Sequence, residues 1–194
     1  IANSDSLHLE PDSQISMLKS NESTSKISKV DTIIMNPPFT RQESLEKNQK
    51  DALETRFSKY DIVDKRIGLH GYFILLGNEF LKNNGTMALV LPATVLRIES
   101  FTKLRKFLVE NFQIKYLISS NKSSSFSYGS RFREILLVIK KTAPKKSDKT
   151  RIGVLNEKPV IGKNVKDIIS SLTKKSIKNS KEMELIDIDN SVFS

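Results

Sequence analysis

Asn36-Pro37-Pro38-Phe39 places a carboxamide, two imide residues and an aromatic ring directly behind residues 30–35, a short apolar run. Such a run reads as a buried parallel strand, and open α/β sheets bind ligands at the carboxyl ends of their strands. The chemistry this corner suits is attack by a poor nitrogen nucleophile. The exocyclic amine of adenine has its lone pair delocalised into the ring and must localise that pair before it can attack a methyl sulfonium. Hydrogen bonds accepted from its two N–H groups do this. The Asn36 side-chain oxygen is one acceptor. The Pro37 carbonyl is the other, restricted in conformation because Pro38 follows it. Phe39 offers a face on which an extruded base stacks, worth about 1–3 kcal/mol. The amine turns acidic only as the methyl arrives and loses its proton to water, so no catalytic His, Cys or metal cluster is needed. The plain alternative is that Asn-Pro-Pro is a turn closing a strand.

With these residues in place, the sequence resembles the amino-methylating DNA methyltransferases of restriction–modification systems, specifically the adenine-N6 type, whose catalytic loop is Asn/Asp-Pro-Pro-Tyr/Phe/Trp. Leu69-His70-Gly71-Tyr72-Phe73, an apolar helix to Leu81 and an Asn84-Gly85 break resemble the family's next motif and its helix. Residues 87–96 resemble the following strand and its Pro-Ala-Thr turn. Residues 114–118, then Phe126 leading into residues 133–140, resemble the terminal hairpin, in which the resemblance implies that Phe126 stacks on the other face of the base. The likeness covers most of residues 1–141. It implies the C-terminal half of a class I methyltransferase sheet, Rossmann-like, with parallel strands and a terminal antiparallel hairpin, and S-adenosylmethionine as cofactor.

The resemblance reaches the amino terminus at Ala2-Asn3-Ser4-Asp5-Ser6-Leu7, similar to the family's acidic motif, where Asp5, with Ser6, would accept from the amino group of the cofactor's adenine. Asp5 reads equally as a bare helix cap. Phe73 is implied to touch the cofactor ring, although its spacing with Tyr72, Leu75, Leu76 and Phe80 is that of a core-facing helix. The family's Gly-rich turn and its ribose-binding acid have no counterpart: the chain has 7 glycines and no Gly-x-Gly after a candidate strand. The chain begins at Ile1, inside a motif, so a fragment lacking the N-terminal cofactor half is expected.

Composition narrows the class. No apolar run approaches the roughly 20 residues a membrane helix needs, and with no cysteine and only His8 and His70, thiol chemistry and a His-based metal centre are not expected. His70 is expected to be a surface or half-buried residue beside the helix start rather than a catalyst. Residues 140–181 hold 13 Lys or Arg against 3 Asp or Glu, which is the whole net charge of +10. A basic segment downstream of the hairpin suits phosphate contact, and it reads equally as a solvated surface. Residues 41–66 are charged with sparse Leu45, Leu53 and Phe57, and read as a loop with a helical piece and little core. Ser100 reads as the N-cap of a helix with Leu104, Phe107 and Leu108 inward and Arg105 in water. Phe126, in a Ser-rich loop with Tyr128 and Phe132 as rivals, has no core to serve. Residues 142–150 read as a linker, and 151–194 as a small basic appendage leading toward a target-recognition region, with a strand, a helix and a strand.

The expectation is a cytoplasmic enzyme that methylates adenine N6 in double-stranded DNA within a restriction–modification system, with a specificity or restriction subunit or a fused domain as partner. Two alternatives stay open: methylation of a protein glutamine side chain through the same loop, and a non-catalytic DNA-binding module with a vestigial loop.

Overall fold

The computed structural model describes residues 5–16, 24–39, 45–62, 67–122, 126–127 and 133–193. Two short strands, β1 (Gln14–Ser16) and β2 (Thr24–Lys26), pair antiparallel as a separate ribbon. The main sheet contains β3 (Val30–Met35), β4 (Leu81–Pro92), β5 (Gln113–Ser120), β6 (Glu134–Lys140), β7 (Lys149–Leu155) and β8 (Met183–Asp189), in the order β3-β4-β6-β5-β7-β8. β3 runs parallel to β4 and β5 parallel to β7, while β6 is antiparallel to both β4 and β5, and β8 to β7. The carboxyl ends of β3, β4, β5 and β7 therefore share one edge. The amino ends of β6 and β8 lie there too.

The helices α1 (Lys47–Phe57), α2 (Gly68–Phe80) and α3 (Thr102–Asn111) cover one face, burying Met87, Leu89, Leu91, Ile135, Leu137 and Ile139 in the larger core. α2 lies close because Gly77 has no side chain: a Cβ there would stand 2.7 Å from Met87 Sδ. Lys141, just past β6, donates through Nζ to the carbonyls of Asn78 and Leu81 and so closes the carboxyl end of α2. α4 (Val165–Thr173) covers the opposite face over β7 and β8, where Ile118, Leu155, Ile168, Met183 and Leu185 form a second cluster. Residues 151–194 thus continue the sheet across β5 and bring their own core.

Several expectations are corrected. β3 is an edge strand with Ile34 82% exposed, because only β4 pairs with it and no described element covers the face shared by Val30, Thr32 and Ile34. The charged 41–66 segment does supply core: Leu53 and Phe57, spaced one turn apart on α1, are buried, and Arg56 beside them donates to Glu79 on α2 and to the Leu9 carbonyl. Ser100 is not the cap of α3; it sits inside a 3₁₀ turn, Glu99–Phe101, and α3 starts with no side-chain cap. Arg105 is half-buried and donates to the carbonyls of Val95 and Ile98, bracing the turn after β4.

Candidate base-activating corner

Asn36 follows β3 immediately, at the shared carboxyl edge, and its side chain is exposed; Pro37 is buried, Pro38 exposed and Phe39 half-buried. All described peptide bonds are trans. The Asn36 carboxamide is oriented: its Nδ2 donates to Ser127 Oγ at 3.1 Å, across 91 residues of sequence. Holding the nitrogen toward Ser127 turns Oδ1 the other way, as an acceptor. Buried Pro37, half-buried Phe39 and one directed amide make a polar corner on the end of a strand, the arrangement that orients a reactant with little reorganisation.

Ser127 is itself held. The backbone N–H groups of Phe126 and Ser127 both donate to Glu134 Oε2, each at 3.0 Å. Glu134 is 4% exposed and opens β6 opposite Pro92, while Ala93 N donates to Arg133 O at 2.8 Å. Glu134 Oε1 is buried without a partner among the described residues. The residue after β3 thus meets the β5–β6 loop at Ser127, the Glu134 carboxylate holds that loop, and the turn after β4 joins the start of β6 by a backbone bond. Sequence reasoning missed Ser127 and Glu134. The available signal was a glutamate heading an otherwise apolar strand, Glu134-Ile135-Leu136-Leu137-Val138-Ile139.

Phe126 is half-buried and packs against the second cluster, beside Tyr116, Leu136 and Leu172. The expectation that it has no core to serve is corrected: β7, β8 and α4 supply one. Its rivals Tyr128 and Phe132 lie outside the described residues, as do residues 2–4 of the acidic motif. Asp5 caps the 3₁₀ turn Ser6–His8, its Oδ1 accepting from Leu7 N at 3.0 Å, and its Oδ2 is 3.6 Å from His8 Nε2. Leu7 anchors that turn in the larger core, Ser6 is half-buried, and Phe73 is half-buried against the same core. No hydrogen bond among the described residues joins Asp5, Ser6 or Phe73 to Asn36.

An apolar groove of about 360 Å³ lies under α3, lined by Val95, Leu108, Leu117 and Leu137 among others, and includes no residue of the Asn36 corner. No group of three His, Cys, Asp or Glu among the described residues could hold a metal ion, and no described helix is long and apolar enough to cross a membrane. His70 is buried rather than at the surface or half-buried as expected, with neither ring nitrogen bonded among the described residues and Phe101 at 5.2 Å between ring centroids.

The type II methyltransferase M.BstVI of Geobacillus stearothermophilus is 27% identical over 174 residues, covering 88% of this chain and 30% of the relative. The chain thus spans less than a third of that relative's length. The type IIG restriction endonuclease BpuSI superposes with a TM-score of 0.70 at 16% identity, over 98% of this chain and 21% of its own. A Listeria monocytogenes protein assigned to the class I S-adenosylmethionine-dependent methyltransferases superposes with a TM-score of 0.54 at 17% identity, over 74% of this chain and 42% of its own. The mixed sheet is that of a class I methyltransferase. A model of the family described as Eco57I restriction-modification methylase matches residues 2–126, more than half of the sequence, and the chain belongs to that family.

Proposed function

We propose that this chain carries the base-activating part of a DNA methyltransferase that transfers a methyl group from S-adenosylmethionine to adenine N6. The observation that carries this reading is the directed Asn36 carboxamide, its Nδ2 bonded to Ser127 and its Oδ1 turned away at the carboxyl end of β3. In this mechanism Oδ1 accepts from one N–H of the extruded adenine and the Pro37 carbonyl from the other. The nitrogen lone pair is drawn out of the ring, and Pro37 and Pro38 keep the two acceptors in fixed relation. Phe39 supplies one stacking face, and Phe126, its ring backed by the second cluster, supplies the other. The proton left on the alkylated nitrogen departs to water.

When bound, S-adenosylmethionine supplies an electrophilic methyl on sulfonium sulfur. Asp5 supports a place for its adenine end: its side chain is 65% exposed, with Oδ1 engaged by the cap and Oδ2 3.6 Å from His8 Nε2, and an exposed carboxylate suits acceptance from an amino group. Ser6 beside it and the half-buried ring of Phe73 would complete that contact. Residues 1–141 carry the chemistry in this reading, 142–150 connect, and 151–194 bring positive charge to duplex DNA. The protein acts in the cytoplasm, with a specificity or restriction subunit or a fused domain choosing the site. Enzymatic hydrolysis of methylated genomic DNA to nucleosides tests the reading: N6-methyladenine supports it. N4-methylcytosine would move the target, and methyl label found only on protein glutamine would reject DNA as substrate.

Glu134 acts here as a positioning residue, through the 126–127 backbone and Ser127. Glu134→Gln replaces a charged acceptor of two N–H groups with a neutral amide, and charge-assisted bonds are about twice as strong as neutral ones. The expected loss is about ten-fold in methylation rate at saturating DNA, with the melting temperature little changed. Combining it with Ser127→Ala should add little to either single loss, because both act by releasing Asn36. Fully additive losses would separate Glu134 from Asn36.

A further inference from the structure

β7 ends at Leu155 on the same sheet edge as Asn36, and the turn that follows it is built with unusual care for a surface loop. Buried Asn164 pins it from inside: its Oδ1 accepts from Val160 N at 2.8 Å and its Nδ2 donates to Lys158 O at 3.0 Å. Lys163 N and Asn164 N both donate to Val160 O, at 3.0 and 3.2 Å. Gly162 reverses the chain at φ 80°, in the left-handed region, and a Cβ there would meet nothing within 4 Å. The apex is rigid and open.

What this apex presents is an apolar tip in a basic collar. Ile161 is 95% exposed and Val160 beside it 47% exposed. Lys158, Lys163 and Lys166 flank them along the chain, all exposed. Of the nearby acids, Glu157 faces Lys181 at 3.8 Å and Asp167 lies in the first turn of α4. An isoleucine held out on a pinned turn serves no core of this fold. Proteins that bind DNA through its grooves insert such wedges against base steps while cations neutralise the flanking phosphates. Three exposed lysines against two acids, one of them already facing Lys181, leave this rim net basic, which favours a polyanion over a protein partner.

We propose that the turn over residues 158–163 is a second DNA contact, with Ile161 wedged against the duplex and Lys158, Lys163 and Lys166 on phosphates. The proposal rests on the DNA reading of the Asn36 corner and extends it along the edge. β7 stands four strand positions from β3, which is roughly 19 Å at sheet spacing. At 3.4 Å per base step that separation is roughly six steps, so one duplex lying along the edge reaches both points.

The test uses the intact enzyme, a short random-sequence duplex and a salt series. Lys158→Ala/Lys163→Ala/Lys166→Ala should make the slope of log affinity against log salt shallower by roughly 2–3, as loss of three phosphate contacts requires. Ile161→Ala should weaken duplex binding roughly ten-fold with the slope unchanged, and should raise the genomic DNA concentration needed for half-maximal methylation. Both sets of side chains are exposed, so melting curves should overlay wild type. Wild-type duplex affinity and slope in these variants, with wild-type methylation of DNA intact, would remove the turn and leave the Asn36 reading standing. A wild-type enzyme that neither binds duplex nor methylates DNA would overturn both. Unchanged DNA binding in Ile161→Ala with loss of an associated protein would assign the tip to that protein instead.

Discussion

Asn36→Ala lowers methylation of genomic DNA by about 10²–10³-fold while duplex affinity stays within a few-fold of wild type. The magnitude is that of deleting one preorganised hydrogen-bond partner of a developing charge. The loss falls on the chemical step, because the Oδ1 acceptor matters most when the amine becomes positively charged. Affinity survives because the carboxamide is one small exposed group, and the lysines proposed to meet phosphate lie elsewhere on the chain. Asn36→Asp separates two parts of the role. It keeps an oxygen acceptor and exchanges the Nδ2 donor for a carboxylate oxygen, to which the Ser127 hydroxyl can donate in its turn. A substantial part of the rate should therefore return in Asp where Ala has none. Transfer of labelled methyl groups to genomic DNA measures both variants without knowledge of the recognition sequence. An alanine variant at wild-type rate would reduce Asn-Pro-Pro to a turn.

The corner was legible because its parts are contiguous: an apolar strand, then four residues whose order fixes their geometry. What held the corner was not legible. Asn36 meets Ser127 across 91 residues, and Ser127 depends on a glutamate that looks, in the sequence, like an ordinary charged strand start. Elements with strong periodicity, such as α2 and the strand after it, emerged from the pattern. α1 emerged as a helical piece but not as core, because charges dilute its two core positions, Leu53 and Phe57, and the Arg56 stem beside them is partly buried too. Phe126 misled for the opposite reason. Its sequence neighbours are serines, but the cluster it packs on draws Leu155, Ile168, Met183 and Leu185 from β7, α4 and β8, joined to β5 by a parallel pairing that periodicity does not reveal. The same pairing carries the 156–164 turn to the sheet edge that Asn36 occupies.

Acidification should destabilise the fold through His70 well before most carboxylates titrate. The ring is 5% exposed, lies against Phe101 and has no hydrogen-bond partner among the described residues on either nitrogen, so its charged form is poorly compensated for lost water. Burial pushes its pKa down to about 4, against about 6.5 for a histidine in the unfolded chain. Between those values the unfolded state holds the extra proton and the folded state does not, so stability falls as pH drops. The full contribution is present above pH 6.5. It diminishes by about 1.4 kcal/mol per pH unit, reaching about 3 kcal/mol by pH 4, and below that this group adds no further loss. His70→Leu keeps an apolar side chain of similar bulk against Phe101 and removes the proton. Its denaturation midpoint should vary with pH less steeply than wild type between pH 6.5 and 4, while carboxylates common to both proteins cancel in the comparison. Parallel curves would mean that the His70 ring finds water or a partner in solution, and that the start of α2 is looser than its packing on Phe101 implies.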